Sequence, residues 1–240
     1  DEEDDAVCEY VLKRVNGRIP VIVGSGSNCT ASMLEKSLRY QAMGAQGLLI
    51  IAPYYNKTNE EGMYRHFATV VDAVDIPCIL YNVPGRTGCS ISEGVVKRLA
   101  GHPNVMGIKE ASGNMSYACK IARYLGPDFA MYSGNDDITV PILSIGGSGV
   151  ISVLANILPQ QTHDMVMAYL SGDTAAATAA QLRYLELINS LFLEVNPIPV
   201  KAALNMMGWE VGPCRMPLYE MSQGAAQRLR AALEEAGLLA

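Results

Sequence analysis

Short apolar runs recur along the chain, and their spacing restricts the fold more than any other feature. They begin near positions 20, 47, 77, 105, 129 and 149, so that one returns every 20 to 30 residues. The runs are Pro20-Val-Ile-Val-Gly24, Gly47-Leu-Leu-Ile-Ile-Ala52, Pro77-Cys-Ile-Leu-Tyr81, Val105-Met-Gly-Ile-Lys-Glu110, Phe129-Ala-Met-Tyr-Ser133 and Gly149-Val-Ile-Ser-Val153. They lack the alternation of a half-exposed strand and read as strands buried on both faces. The segments between them have helical spacing. Met63, Phe67, Val70, Val71 and Val74 form one stripe; Val95, Val96 and Leu99 form another behind a cap at Ser92. Strands separated by single helices predict parallel βαβ units with right-handed crossovers.

The two ends of the chain read differently from the middle. Residues 1–16 form an amphipathic helix with Val7, Tyr10, Val11 and Val15 on one face, stopped by Gly17. Thr30 is positioned to cap a helix ending at Gly44, and a further helix is expected from about Asn114 to Leu125. After Val153 the alternation ceases. Pro159–Ser171, Asp173–Phe192, Pro199–Gly208 and Met221–Ala236 read as consecutive helices, giving a strand–helix part over 1–157 and a helical part over 158–240.

Composition excludes several functions. Half of the residues are hydrophobic, 18% are charged and the net charge is -6. With no cluster of Lys and Arg, a nucleic-acid surface is excluded. No apolar run approaches a membrane span, and Asp1-Glu-Glu-Asp-Asp5 is the opposite of a signal peptide's basic start. The six cysteines are scattered without a Cys-x-x-Cys pair or nearby histidine, which predicts a reduced, cytoplasmic protein. No Asp/Glu/His grouping asks for a metal, and nothing in the residues calls for a cofactor.

The unusual polar residues fall at the carboxyl ends of the expected strands, where parallel α/β folds place their sites. They are Ser25 and Asn28, Tyr54 and Tyr55, Tyr81 and Arg86, Lys109, Gly134, and Ser152. Lys109 stands where a branched aliphatic residue would be expected. A lysine there must find a partner or lose its proton, and a neutral amine is a nucleophile toward carbonyl carbon. Tyr81 can shuttle protons, and Arg86 in its Gly- and Pro-bounded loop can grip a carboxylate bidentately. Plainer roles remain open at this level. The ammonium can snorkel to the rim, Tyr81 can pack in the core, Tyr54 and Tyr55 can pack at a subunit interface, and Arg86 can be a surface charge.

Six stretches carry a family resemblance: Ala52-Pro-Tyr-Tyr-Asn-Lys57, Leu80-Tyr-Asn-Val-Pro-Gly-Arg-Thr-Gly88, Gly107-Ile-Lys-Glu-Ala-Ser-Gly113, Ser133-Gly-Asn-Asp136, Gly149-Val-Ile-Ser-Val153 and Asn196-Pro-Ile-Pro-Val-Lys201. In this order the chain resembles the dihydrodipicolinate synthase/N-acetylneuraminate lyase family of class I aldolases. The resemblance implies a lyase that condenses pyruvate with aspartate semialdehyde in lysine biosynthesis, with Lys109 forming the Schiff base. It further implies proton relay by Tyr81, completed by Tyr55 reaching into a neighbouring subunit of a homo-oligomer. Arg86 would bind the aldehyde's carboxylate, and backbone around Gly134 and Ile151 would line the pocket. The implied fold is an incomplete TIM (β/α)8-type barrel of about six parallel strands with C-terminal helices. It lacks the family's first two βα units and their Gly-Thr-Thr-Gly-Glu type motif, which supplies a relay threonine. The exposed strand edges are expected to be covered by another copy or by the rest of a precursor. The alternative expectation is a family member with weak or no synthase activity, acting as another pyruvate aldolase or in assembly. Ser32 stands where lysine-inhibited members carry an acidic residue, so lysine feedback is not implied.

Overall fold

A computed structural model describes residues 2–239. Helix α1 (Glu2–Val15) leads to β1 (Ile22–Gly24), α2 (Thr30–Met43), β2 (Gly47–Ile51), α3 (Glu60–Val71) and β3 (Cys78–Asn82). There follow the one-turn α4 (Pro84–Thr87), α5 (Glu93–Leu99), β4 (Val105–Glu110), α6 (Met115–Ala122) and β5 (Ala130–Ser133). The remainder comprises α7 (Thr139–Ser144), β6 (Gly149–Val150), α8 (Pro159–Leu170), α9 (Thr174–Arg183), α10 (Leu185–Ser190), α11 (Ile198–Met206) and α12 (Gln223–Glu235). The strands follow chain order, β1-β2-β3-β4-β5-β6, and parallel ladders join β1 through β5. This is the α/β class expected, with helices appended after the last strand.

The chain divides into two compact units, residues 1–134 with 145–148, and residues 135–144 with 149–240. In the first, Leu48, Ile50, Leu80 and Ile108 are wholly buried on β2, β3 and β4. Each such side chain contributes roughly 1.5–3 kcal/mol. The stripe on α3 is buried as its spacing demands, at Met63, Phe67, Val70 and Val71. Ser92 caps α5 by accepting from the Val95 amide at 3.2 Å. Between β3 and β4 the register shifts, with Cys78 opposite Val105 but Ile79 opposite Gly107. A one-residue slip exchanges the two faces of a strand, so this bulge determines which β4 residues stand beside Tyr81.

The second unit is built around Leu154, Leu158, Leu187, Ile188, Leu191, Val200, Leu229 and Leu233. Asp136, buried and just ahead of α7, accepts from the amides of Val153 and Leu154 at 2.9 and 3.1 Å. These bonds turn the backbone, so the expected strand Gly149–Val153 ends at Val150. The helix expected over 173–192 divides at Tyr184 into α9 and α10. Two N-terminal expectations also change. Cys29, not Thr30, occupies the cap position of α2, because the Thr30 hydroxyl lies 2.8 Å from His66 Nδ1. On α1 the apolar face is exposed, with Val7 at 62% and Tyr10 at 68%, and the buried residue is Cys8.

Candidate active site

The ends of β3 and β4 bring the nucleophile to its partner. In the parallel ladder Tyr81 pairs with Lys109, and Asn82 with Glu110. Paired residues project from the same side of a sheet and successive residues from opposite sides, so Tyr81 and Lys109 share one face. Both are half-buried, and Lys109 Nζ lies 4.2 Å from the centre of the Tyr81 ring. Burial pushes the Tyr81 phenol above its ordinary value, while the positive charge of Arg86 draws it back. The phenol therefore keeps its proton at neutral pH and can donate it or accept another.

Arg86 owes its position to local chain chemistry. Pro84 opens α4 at a position that needs no amide donor, and Gly88 ends the turn at φ 72. The buried Thr87 hydroxyl donates to the Cys89 carbonyl at 2.8 Å and fixes the turn from within. Arg86 itself is exposed, with its charge felt at Tyr81. A guanidinium at the open edge of an amine–phenol pair is suited to a substrate's carboxylate.

On the other face, Asn82 and Glu110 are buried. Asn82 Nδ2 donates to Glu110 Oε2 at 2.7 Å, and Asn82 Oδ1 accepts from the Ile91 amide at 2.9 Å. The second Glu110 oxygen accepts from the Ser112 amide at 2.7 Å. Burial raises the Glu110 carboxyl above its ordinary range, and the bonds from Asn82 and Ser112 pull it partly back. Glu110 thus faces away from Lys109, as strand alternation requires.

The other expected residues are placed as follows. Gly134, after β5, donates its amide to the Glu110 carbonyl at 2.7 Å. A Cβ there would meet that of Ala111 at 2.5 Å, so only glycine permits the approach. Ile151 is half-buried and directly follows β6 in the second unit. Tyr55 sits at φ 67 with 90% of its surface exposed. Ser25 is taken up by packing, accepting from the Ser37 hydroxyl at 2.8 Å within the core. Ser152 caps the turn after β6 by accepting from the Ala155 amide at 2.8 Å. Sequence reasoning missed the partnership of Asn82 with Glu110 and the anchor at Asp136. Polar residues at the ends of apolar runs were the available signal, but their partners come from the register and from distant segments.

Comparison with known proteins places this geometry. The model of the dihydrodipicolinate synthetase family matches residues 1–236. The 4-hydroxy-tetrahydrodipicolinate synthase of Caldicellulosiruptor bescii is 51% identical over 238 residues, covering 99% of this chain and 80% of the relative. That of Acetivibrio thermocellus is 47% identical over 239 residues, covering 100% of this chain and 81% of the relative. The crystal structure of dihydrodipicolinate synthase from Thermotoga maritima superposes with a TM-score of 0.97 at 39% identity, over 100% of this chain and 82% of that one. Likeness in sequence and in fold thus runs through the strand ends that carry Tyr81, Arg86 and Lys109, and the chain belongs to the dihydrodipicolinate synthetase family.

Proposed function

We propose that the chain is a class I lyase that condenses pyruvate with aspartate semialdehyde, the reaction implied by its family. The observation that carries this is the pairing of Lys109 with Tyr81, Nζ 4.2 Å from the ring centre, beside the Arg86 charge. The Lys109 amine attacks the keto carbon of pyruvate, and the Tyr81 hydroxyl supplies the proton with which water departs. The resulting imine gives up a methyl proton to become an enamine, whose carbon attacks the aldehyde carbon of the second substrate. Arg86 holds that substrate's carboxylate in two parallel hydrogen bonds. Attack of the substrate's own amine on the imine carbon then releases Lys109. Gly134 contributes backbone to the pocket lining.

Tyr55 is assigned to the proton relay of a neighbouring copy in a homo-oligomer. Its exposure and its left-handed backbone on a surface loop support that assignment. Among the described residues no helix is long and apolar enough to cross a membrane, in keeping with a cytoplasmic enzyme.

Borohydride reduction in the presence of pyruvate is the test. A mass adduct on the peptide bearing Lys109, absent without pyruvate, is expected; its absence would overturn the reading. For Tyr55, mixing the inactive Y55F and K109A variants should restore part of the activity. Failure to do so, in an oligomer shown to exchange subunits, would remove Tyr55 from the relay.

A further inference from the structure

The face of β3–β4 turned away from Lys109 holds an arrangement for which the chemistry above has no use. Asn82 is wholly buried, and its side chain ties the start of one loop to its end. It is the last residue of β3, where the loop begins, and its Oδ1 accepts from the amide of Ile91, where the loop ends. The chain between them is the segment that presents Arg86. Asn82 Nδ2 is in turn held by Glu110, whose other oxygen holds the Ser112 amide at the root of the next loop. The Glu110 carbonyl accepts from Gly134 and the Asn82 carbonyl accepts from Ala111, so three loop roots converge on these two residues. Ile91 is fixed from its other side as well, its carbonyl accepting from the Tyr117 hydroxyl at 2.6 Å.

The chemistry of the pair explains why these residue types stand here. Both Glu110 oxygens act as acceptors, so the amide of Asn82 must turn its nitrogen toward them. Only that orientation leaves Oδ1 facing the Ile91 amide. A buried carboxyl is an expensive way to hold two strands together, since matched apolar side chains serve stability as well or better. A directed network does what apolar packing does not, setting the orientation of one loop root uniquely. Within the loop, α4 holds its own shape through Pro84, Thr87 and Gly88, so the placement of Arg86 relative to Lys109 is decided at the root.

We propose that Asn82 and Glu110 are positioning residues that set the Arg86 loop over the Lys109–Tyr81 pair. Through that loop they govern recognition of the carboxylate-bearing second substrate, while imine formation with pyruvate proceeds without them. The inference rests on the pyruvate–Lys109 reading and can fail separately from it.

The experiment reverses the hydrogen-bond polarity of the pair. Glu110→Gln leaves one acceptor where two donors, Asn82 Nδ2 and the Ser112 N–H, were satisfied. Its nitrogen meets either the Ser112 N–H or Asn82 Nδ2, and in the second case a turned-over Asn82 meets the Ile91 N–H instead. One bond is lost either way, and a misplaced Arg86 should raise KM for the aldehyde roughly 10- to 100-fold, as expected for a charge-assisted hydrogen bond. The rate of borohydride trapping with pyruvate should stay within about twofold of wild type. The double variant N82D/E110Q restores both bonds, because the new carboxylate accepts from the new amide and from Ile91. Its KM for the aldehyde should return to near the wild-type value. Should E110Q fail to fold, Asn82→Ala, which removes the bonds without mispairing them, is read in the same way.

An unchanged aldehyde KM in the single variants overturns the proposal. Equal losses in trapping and in aldehyde KM do so too, as does a folded double variant no better than E110Q. If wild type itself fails to trap pyruvate, the underlying reading is what has fallen.

Discussion

On one face of the paired ends of β3 and β4 stand Tyr81 and Lys109, half-buried and within reach of a small molecule; on the other, one residue further along each strand, stand Asn82 and Glu110, buried and committed to hydrogen bonds within the fold. The same ladder delivers both pairs, and strand alternation separates them. One face keeps the Lys109 amine 4.2 Å from the centre of the Tyr81 ring. The other spends an amide and a carboxylate on loop roots. A parallel strand end can thus carry reactive and supporting groups at consecutive positions without mixing their roles.

If the division holds, variants on the first face should lose activity and keep their stability. Lys109→Ala has the largest expected effect. Removing the nucleophile closes the covalent route, so activity should fall on the order of 10⁴-fold or more, with no pyruvate adduct after borohydride. Stability, read from a urea transition, should change by less than about 1 kcal/mol, because a half-buried side chain away from the core is lost. Tyr81→Phe is next. It keeps the ring under Lys109 but removes the hydroxyl, and a loss of roughly 10²–10⁴-fold in kcat is expected. A large stability loss in either variant would break the comparison.

The first face was more legible in the sequence than the second, for a physical reason. Lys109 interrupts an apolar run, Tyr81 and Arg86 follow another, and such interruptions are visible without knowing any partner. The strands at the centre of the sheet were legible because burial on both faces writes continuous apolar runs; β1, expected to be buried in the same way, leaves Ile22 45% exposed. What escaped depended on distant partners. Asn82 and Glu110 meet only once the bulge ahead of Gly107 has set the register. The last strand stops early because Asp136 captures the amides of Val153 and Leu154. Thr30 leaves its expected cap for His66, 36 residues away. On α1 the periodicity tells correctly which residues share a face, but periodicity does not state what covers it, and Val7 and Tyr10 are exposed.

The register itself can be attacked at Gly107, whose added Cβ would lie 2.3 Å from the Ala130 carbonyl oxygen. That neighbour is backbone and cannot swing aside, so β4 and β5 must separate. Gly107→Ala should cost about 1–3 kcal/mol of stability in a urea titration. Unlike K109A, it should disturb both faces together, lowering pyruvate trapping as well as raising the aldehyde KM. Gly101→Ala provides the contrast, since nothing lies within 4 Å of a Cβ there, and its stability should stay within about 0.5 kcal/mol of wild type. Equal behaviour of the two variants would mean that the close approach at Gly107 does not hold the ladder.

The smallest expected effect concerns the proton on Glu110. Burial raises its carboxyl above the ordinary value of 4.5, so the native state binds that proton more tightly than the unfolded chain. The contribution to stability is therefore complete below about pH 4.5 and is lost as pH rises through the raised native value. Glu61 and Asp164 are shifted the opposite way by their partners and tilt the whole-protein profile in the other direction. The quantity to follow is the difference in stability between wild type and Glu110→Gln, measured by urea denaturation from about pH 4 to about pH 8. Groups common to both proteins cancel, and the mispaired hydrogen bond of the variant adds an offset that pH does not change. The wild-type advantage should be greatest at the acid end and shrink as pH rises. A difference that grows with pH would mean that Glu110 is held ionised by a favourable charge, and that the second face is electrostatic in character and not the desolvated clasp described above.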